Sequence, residues 1–282
     1  LPALLITGGA PGAPPALRTR AAFAEAQEAL SLMHDMVAVN EDTVHGGGPA
    51  AADARLRALN LDTFAVATAD ERTALQNLIT GGGSGGTSAV QQPRLLNAYR
   101  VGRSSEAGTF DPRGVGNARL LFHGSKPSSF VGLLSRGLLL PQVVSAMGGG
   151  RTDEGFLGLG IYLAPNLADA ARYAPPAAAA GRRTRLALVV EAALGKSAPF
   201  TTKQPQLRAP PPGYDSCEGL GPADAGGKPT QFLHSEFVLY EKAQLRVKYI
   251  VEFSMPGDLP AAAAEPSAAA AAAAPAAAPA AG

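Results

Sequence analysis

Leu120-Leu-Phe-His-Gly-Ser125 is an apolar run that stops at a histidine and a glycine. Its three contiguous apolar residues predict a short buried strand beside turn residues. His123 lies at the end of this strand, and Gly124 leaves room there for other atoms to come close. A histidine at a strand end is more often structural than functional, so its role depends on what the rest of the chain places beside it.

Two later stretches also carry a polar or aromatic residue on a short apolar strand. Gly158-Leu-Gly-Ile-Tyr-Leu-Ala164 carries Tyr162, and Ser235-Glu-Phe-Val-Leu-Tyr240 carries Glu236 at its start. Residues 245–253 alternate apolar and charged side chains, which is typical of a half-buried antiparallel strand. Further strands are predicted at 95–101 and 184–193, and helices at 128–137 and 166–173. Many short strands with few helices predict an α+β domain built on antiparallel sheet.

The first part of the chain favours helices. Apolar residues recur at helical spacing over 22–39, and shorter helices are predicted at 50–61 and 70–79. Asp70 is the expected N-cap of the last of these helices. Together the three segments predict a small N-terminal helical unit that precedes the sheet domain.

Composition sets the predicted boundaries. Residues 81–88, Gly-Gly-Gly-Ser-Gly-Gly-Thr-Ser, have the composition of a flexible linker. We therefore predict a helical unit with its linker over 1–88 and the main domain over 89–255. Within the main domain, residues 199–230 are rich in Pro and Gly without a period, and we expect a long loop there. Ala and Pro dominate 256–282, and this tail is predicted to be disordered.

Charge and cysteine content exclude several classes of function. The 282-residue chain has a formal net charge of +1 at pH 7, which gives no electrostatic footprint for nucleic acid. Its single cysteine, Cys217, excludes a disulfide framework and a cysteine zinc site, and it fits a reducing compartment. The sequence has no run long and apolar enough for a membrane span. The chain starts at Leu1 rather than Met, which indicates a piece of a longer protein.

The three strand-end stretches resemble, in order, the motifs of the poly(ADP-ribose) polymerase-type ADP-ribosyltransferase catalytic domain. The stretch with His123 is similar to the one that carries the histidine of the family's His-Tyr-Glu triad, and the other two are similar to those that carry its tyrosine and glutamate. The resemblance covers roughly residues 91–253. Three shorter pieces are most similar to the vault-associated branch of the family: Arg151-Thr-Asp153, Ala193-Leu-Gly-Lys196 and Pro211-Pro-Gly-Tyr-Asp-Ser216.

The resemblance implies an antiparallel-sheet ADP-ribosyltransferase fold and specific roles for single residues. His123 would bind a ribose hydroxyl of NAD, and the backbone of Gly124 would bind the nicotinamide carboxamide. Tyr162 and Tyr173 would stack on the nicotinamide ring, since a cationic ring favours aromatic faces. Glu236 would bind the nicotinamide ribose and stabilise the positive charge that develops as the glycosidic bond breaks.

The resemblance also implies the reaction and its partners. NAD would be a substrate, with no metal required, and ADP-ribose would pass to protein acceptors, including the chain itself. We expect an intracellular protein, nuclear or cytoplasmic, and no direct contact of this segment with nucleic acid or membrane.

One position departs from the family. The helix after the triad tyrosine usually carries a serine that bonds the carboxamide, and the matching residue here is Ala170, in Leu167-Ala-Asp-Ala-Ala-Arg-Tyr173. Loss of that hydroxyl should weaken NAD binding by about 0.5–1.5 kcal/mol, unless Ser125 or another register replaces it. Ser125 and Ala170 therefore complete the set of residues predicted to line the NAD site.

Three other functions stay open at this stage. An inactive member of the same fold would hold NAD or a protein without turnover, which Ala170 mildly favours. A dinucleotide-dependent oxidoreductase is suggested by Gly155-Phe-Leu-Gly-Leu-Gly160, although this glycine spacing does not fit the dinucleotide fingerprint. A cysteine nucleophile would pair Cys217 with His234 in the Pro- and Gly-rich loop region.

Overall fold

The structure is a computed structural model that describes residues 56–57, 59–81, 92–146, 155–179 and 182–258. The predicted helix over 22–39 lies outside the described residues. So do most of the predicted helix over 50–61, most of the Gly/Ser linker and most of the tail. Among the helices that are described, none is both long and apolar enough to cross a membrane.

The first of two sheets has six strands, and all its pairs are antiparallel. Its strands are β1 (Thr63–Val66), β2 (Arg94–Gly102), β3 (Ala118–Gly124), β5 (Ala177–Ala179), β6 (Arg182–Ala193) and β10 (Leu245–Ser254). Their order is β1-β2-β10-β6-β3, and β5 pairs with β6. The pairing of β10 with β6 shifts between Val247 and Tyr249. The alternation predicted over 245–253 therefore changes face at this bulge, because the extra residue reverses the side-chain directions.

The second sheet has four strands in the order β4-β9-β8-β7. They are β4 (Ile161–Leu163), β7 (Ser197–Phe200), β8 (Ser216–Gly219) and β9 (Glu236–Leu239). The pair β7–β8 is parallel and the other two pairs are antiparallel. The prediction of one long loop over 199–230 was wrong at β8, since a four-residue strand among Pro and Gly is too short to show a period. A parallel pair needs a long connection, and residues 201–215 supply it.

A backbone bridge joins the two sheets. Phe122 in β3 and Ala164, just after β4, exchange two hydrogen bonds with N–O distances of 2.8 Å each. Strand β3 ends the order of the first sheet and β4 begins the order of the second. The bridge therefore places β3 beside β4 and, through β4, close to β9.

Buried side chains form layers above, between and below the sheets. The described helices are α1 (Ala69–Gly81), α2 (Ser104–Ala107), α3 (Pro112–Val115), α4 (Phe130–Arg136), α5 (Pro141–Ala146) and α6 (Leu167–Ala170). Residues between the sheets include Leu121, Val190, Leu163, Phe237 and Val247. Helices α1 and α6 cover the outer face of the first sheet. The arrangement confirms the predicted α+β class.

Strand β1 and helix α1 share the first sheet and its outer layer. Strand β1 pairs with β2 along its whole length. Leu75 and Ile79 of α1 are each 2% exposed and pack in the cluster that contains Phe122 and Phe253. The predicted boundary at residue 88 stays a prediction for the chain as a whole. Among the described residues before it, β1 and α1 pair and pack with the sheet domain and do not form a separate unit of helices.

The N-cap of α1 is Thr68, and the prediction of Asp70 was wrong. The Thr68 Oγ1 accepts from the Glu71 backbone N–H at 3.3 Å, and the Thr68 N–H donates to Glu71 Oε2 at 2.8 Å. This reciprocal pair is a capping box. It satisfies two backbone donors at the first turn, which a cap at Asp70 would leave to solvent.

The folded domain continues to Asp258, three residues beyond its predicted end at residue 255. The carboxylate of Asp258 accepts from Arg185 Nε at 2.6 Å and from Arg185 Nη2 at 3.0 Å. It also accepts from the Met255 N–H at 2.8 Å, which closes the turn after β10. Composition alone does not reveal this ion pair, because Arg185 lies 73 residues away in sequence.

Candidate active site

Three strand ends come together where the two sheets meet. The bridge between β3 and β4 places His123 beside the end of β4. Tyr162 of β4 lies opposite Val238 of β9, and Glu236 lies two residues earlier on that strand. The predicted residues His123, Tyr162 and Glu236 are therefore carried by three neighbouring strands.

The imidazole of His123 is oriented by the backbone of Tyr162. His123 Nδ1 lies 3.0 Å from the Tyr162 carbonyl oxygen. A carbonyl oxygen only accepts, so Nδ1 must carry the proton of this hydrogen bond. In the neutral imidazole the Nε2 atom is then the acceptor nitrogen, which is the form suited to accept from a hydroxyl group.

The hydroxyl of Tyr162 anchors the glycine-rich turn before β4. It accepts from the Leu157 N–H at 2.8 Å and donates to the Gly158 carbonyl at 3.0 Å. The ring is half-buried and packs against a cluster on the outer face of the second sheet. The phenol therefore contributes a fixed ring, since its polar end is bonded within the turn.

The glycine run over 155–160 serves packing. A Cβ placed on Gly158 would lie 2.0 Å from the Leu207 carbonyl oxygen, and the φ angle of Gly158 is +78°. The strand that follows, β4, is antiparallel to β9, so no parallel β-α-β unit surrounds the run within the described residues. These contacts overturn the oxidoreductase alternative, because a dinucleotide fingerprint requires that unit.

Gly124 is required by helix α6. A Cβ on Gly124 would lie 1.9 Å from the carbonyl oxygen of Ala170, so any side chain would push β3 and α6 apart. The space that the sequence predicted beside Gly124 is therefore occupied by helix α6 on the side where a side chain would point. Its backbone N–H and C=O point to the same edge as those of Phe122, because alternate residues of a strand share an edge. Phe122 faces β4 along that edge, and Gly124 lies one step beyond the bridge.

Ala170 and the segment with Tyr173 pack against β3, and Ser125 follows directly after it. Ala170 is 1% exposed and packs with Phe122 and Leu167. Ser125 follows Gly124 directly and is partly buried. Tyr173 lies in a 3-10 helix after α6 and is 40% exposed.

Arg185 fixes the end of the segment that carries Tyr173. Its Nη1 donates to the carbonyls of Ala171 at 3.1 Å and Ala174 at 3.0 Å. Its remaining donors bind Asp258, as described above. Burial opposes a charged Asp258, but the hydrogen bonds from Arg185 and the Met255 N–H outweigh it and lower the pKa of Asp258. The carbonyls at this helix end are therefore satisfied by a permanently charged group.

Glu236 lies on the face of β9 that is turned away from the space between the sheets. Phe237 and Leu239 point into that space, whereas Val238 and Tyr240 pack in the outer cluster of the second sheet. Glu236 shares the face of Val238 by strand alternation and is partly buried. This agrees with the predicted sharing of one face by Glu236, Val238 and Tyr240.

Cys217 is a buried core residue of β8. It is 0% exposed, and burial raises the pKa of its thiol, so the thiolate needed for nucleophilic attack is disfavoured. His234, its suggested partner, instead places Nδ1 at 2.7 Å from Asp169 Oδ1. The alternative of a cysteine nucleophile is therefore overturned.

Sequence reasoning missed Asp169, Arg185 and Asp258, and it paired His234 with Cys217 instead of Asp169. The helix start offered a partial signal, because Asn166 and Asp169 have the spacing of a helix cap and side-chain pair. Asn166 begins the segment predicted as a helix over 166–173, and its Oδ1 accepts from the Asp169 N–H at 2.9 Å as an N-cap. The long-range contacts of His234 and Arg185 depend on the tertiary fold and leave no local pattern.

Comparison with known proteins agrees with this arrangement. The family model described as the poly(ADP-ribose) polymerase catalytic domain matches residues 82–255. The protein mono-ADP-ribosyltransferase PARP4 of Mus musculus is 38% identical over 236 residues, which are 84% of this chain and 12% of that protein. The human protein of the same name is 44% identical over 164 residues, which are 58% of this chain and 9% of that protein.

A more distant relative extends the match within the family. The protein mono-ADP-ribosyltransferase PARP3 of Mus musculus is 28% identical over 191 residues, which cover 58% of this chain and 34% of that protein. The two PARP4 matches confirm the predicted similarity to the vault-associated branch, and the chain spans about a tenth of their length. With the three motifs meeting at one junction of the sheets, the match over 82–255 leads to one conclusion: the chain belongs to the poly(ADP-ribose) polymerase catalytic domain family.

Proposed function

We propose that this chain is an NAD-dependent ADP-ribosyltransferase that releases nicotinamide and transfers ADP-ribose to protein acceptors. The observation that carries the proposal is the convergence of His123, Tyr162 and Glu236 on three neighbouring strands. Family membership and the names of the relatives support the same reaction class.

The nicotinamide ring would bind at the edge where Gly124 ends β3. The carboxamide has one acceptor oxygen and an NH₂ donor, which match the N–H and C=O of a strand residue beyond its last bridge. Tyr173 is exposed and Tyr162 offers a fixed ring, and each aromatic face would contribute about 0.5–2 kcal/mol toward a cationic ring. Ala170 offers no hydroxyl here, so Gly124 and Ser125 would make the hydrogen bonds to the nicotinamide carboxamide.

His123 would hold the ribose. Its Nδ1 is committed to the Tyr162 carbonyl, so in the neutral form Nε2 accepts from a ribose hydroxyl. The same bond couples the ribose contact to β4, and thereby to the ring of Tyr162. The sugar and the nicotinamide would thus be held by one rigid junction.

Glu236 would act on the transition state. The bond between C1′ of the ribose and the nicotinamide nitrogen breaks, and its electron pair leaves with nicotinamide. The acceptor nucleophile forms the new bond to C1′ and loses its proton to solvent. Positive charge develops on the ribose between these events, and a carboxylate beside the ribose hydroxyls stabilises it.

The second candidate function is an NAD- or protein-binding module of the same fold without turnover. Ala170 favours it, because the position that carries a hydroxyl in the family lacks one here. Automodification measured with labelled NAD distinguishes the two, since a module would bind a nicotinamide mimic and transfer no label.

Substitution of Glu236 tests the transferase. In Glu236→Gln the amide keeps a hydrogen bond to the ribose but loses the charge. We therefore expect transfer to fall by about 10²–10³-fold, with the affinity for a nicotinamide mimic nearly unchanged. Glu241→Gln, an exposed change five residues away, is the matched control. Near-normal transfer by Glu236→Gln would remove the proposed role of this carboxylate.

A further inference from the structure

One contact links two segments of the site and has no role in the steps above. His234 Nδ1 lies 2.7 Å from Asp169 Oδ1. His234 is two residues before Glu236, and Asp169 is four residues before Tyr173. The pair therefore joins the segment that leads into β9 to the helix that leads to the nicotinamide side.

The carboxylate of Asp169 is held in one orientation. Its Oδ2 accepts from Asn166 Nδ2 at 2.6 Å, while Asn166 Oδ1 accepts from the Asp169 N–H at 2.9 Å. The Asp169 side chain is 15% exposed, so water competes little for its oxygens. Oδ1 is thus presented to His234 by a helix cap that does not depend on His234.

Ser235 makes the step from His234 to Glu236 rigid. Its Oγ donates to Asp224 Oδ2 and accepts from the Gly221 N–H at 2.9 Å. Ser235 is 8% exposed. Ser235 thereby ties His234 to the turn over 221–224, so loss of the contact with Asp169 would release that turn and the start of β9 together.

We propose that His234 and Asp169 are positioning residues that hold Glu236 in register with the nicotinamide site. This inference rests on the proposed transferase function. The reason is geometric, since displacement of a reacting group by about 1 Å can cost on the order of 100-fold in rate. His234 is 42% exposed, so the effect of the pair on rate comes from placement and its effect on stability is small.

The donor atom of the imidazole allows a sharp test. A carboxylate oxygen only accepts, so Nδ1 of His234 carries the proton. The amide nitrogen of an asparagine lies near the position of Nδ1, whereas that of a glutamine extends toward the position of Nε2. His234→Asn should therefore keep the bond to Asp169, and His234→Gln should break it.

The experiment measures kcat and KM for ADP-ribose transfer, with the dissociation constant of a nicotinamide mimic measured separately. We expect His234→Gln to lower kcat by roughly 5–20-fold and to change the affinity for the mimic by less than about twofold. His234→Asn should stay close to wild type. Asp169→Ala should match His234→Gln, and the double variant should be no slower than either one. Lys228→Ala, an exposed change in the same loop, is the control.

Equal effects of the Asn and Gln variants, or additive losses in the double variant, would overturn the proposal. If the wild-type chain shows no transfer activity, the proposed function is refuted instead. Hydrogen–deuterium exchange then tests whether His234 and Asp169 position the start of β9. Faster exchange of residues 231–239 in His234→Gln but not in His234→Asn supports it. Equal exchange in the two variants overturns it.

Discussion

Helix α1 provides a quantitative test of where the folded domain begins. Leu75 and Ile79 are its buried side chains, and both pack against the outer face of the first sheet. If α1 belongs to the same cooperative unit as the sheet, Leu75→Ala should lower the free energy of unfolding of the whole domain. If α1 belongs to a separate unit before the linker, the same change should affect α1 alone.

The expected loss follows from burial. Leu75 is 2% exposed, and truncation of such a side chain to Ala typically costs about 2–5 kcal/mol through lost transfer energy and an added cavity. For a domain of this size, that loss corresponds to a fall in melting temperature of roughly 4–20 °C. Ile79→Ala should act similarly, because Ile79 is also 2% exposed.

Hydrogen exchange read separately over α1 and over β6 (Arg182–Ala193) is the decisive measurement. We expect Leu75→Ala to reduce protection in β6 as well as in α1, with Asn77→Ala, on the exposed face of the helix, as the control. Unchanged protection of β6 would refute the reasoning and favour a boundary near residue 88. A chain that starts at residue 89 would then keep its denaturation midpoint, whereas we expect that chain to be unstable.

Two further predictions concern the segment with Tyr173. Ala170→Ser should tighten binding of a nicotinamide mimic by up to about tenfold if the register with the family serine is correct, whereas a loss of stability without tighter binding would contradict that register. Asp258→Asn should weaken the same binding and lower the melting temperature, because Arg185 loses its anionic partner. The folded-state pKa of Asp258 is below its ordinary value, so its contribution to stability is present above that value and is lost as the pH falls through the folded-state pKa. The two melting temperatures should therefore converge in acid, and a constant difference at all pH values would exclude the ion pair as the cause.

The order of the three motifs along the chain predicted that His123, Tyr162 and Glu236 meet, and they lie on neighbouring strands where the sheets join. His123 follows an apolar run, Tyr162 lies within one and Glu236 precedes one. Such runs can be recognised in a sequence because a buried strand needs contiguous or alternating apolar residues. The strand β8 around Cys217 was not readable, since its four residues lie among Pro and Gly and pair in parallel with β7. Its buried position emerges only when the second sheet is assembled.

Contacts between distant segments were beyond sequence reasoning for a different reason. The sequence shows that His234 and Asp169 are polar, but their meeting depends on the register of β4 with β9 and on the turn of α6. The prediction of Asp70 overlooked the capping box at Thr68, although that box has a local signal, because Thr68 and Glu71 are three residues apart. Long-range ion pairs lack such a local spacing rule.

Because Ala170 offers no hydroxyl, the contacts that fix the helical segment around it gain importance for the proposed NAD site. Under the proposed function, nicotinamide would be held by the backbone at Gly124 and by the ring of Tyr173, because residue 170 is an alanine where the resemblance to the family implies a serine. Both depend on the position of one short helical segment. That segment is fixed against Gly124 by close packing, at its start by the cap from Asn166, and at its end by Arg185. Since a backbone contact tolerates less displacement than a flexible side chain does, the affinity for NAD should be unusually sensitive to substitutions that move the helix without touching the ligand.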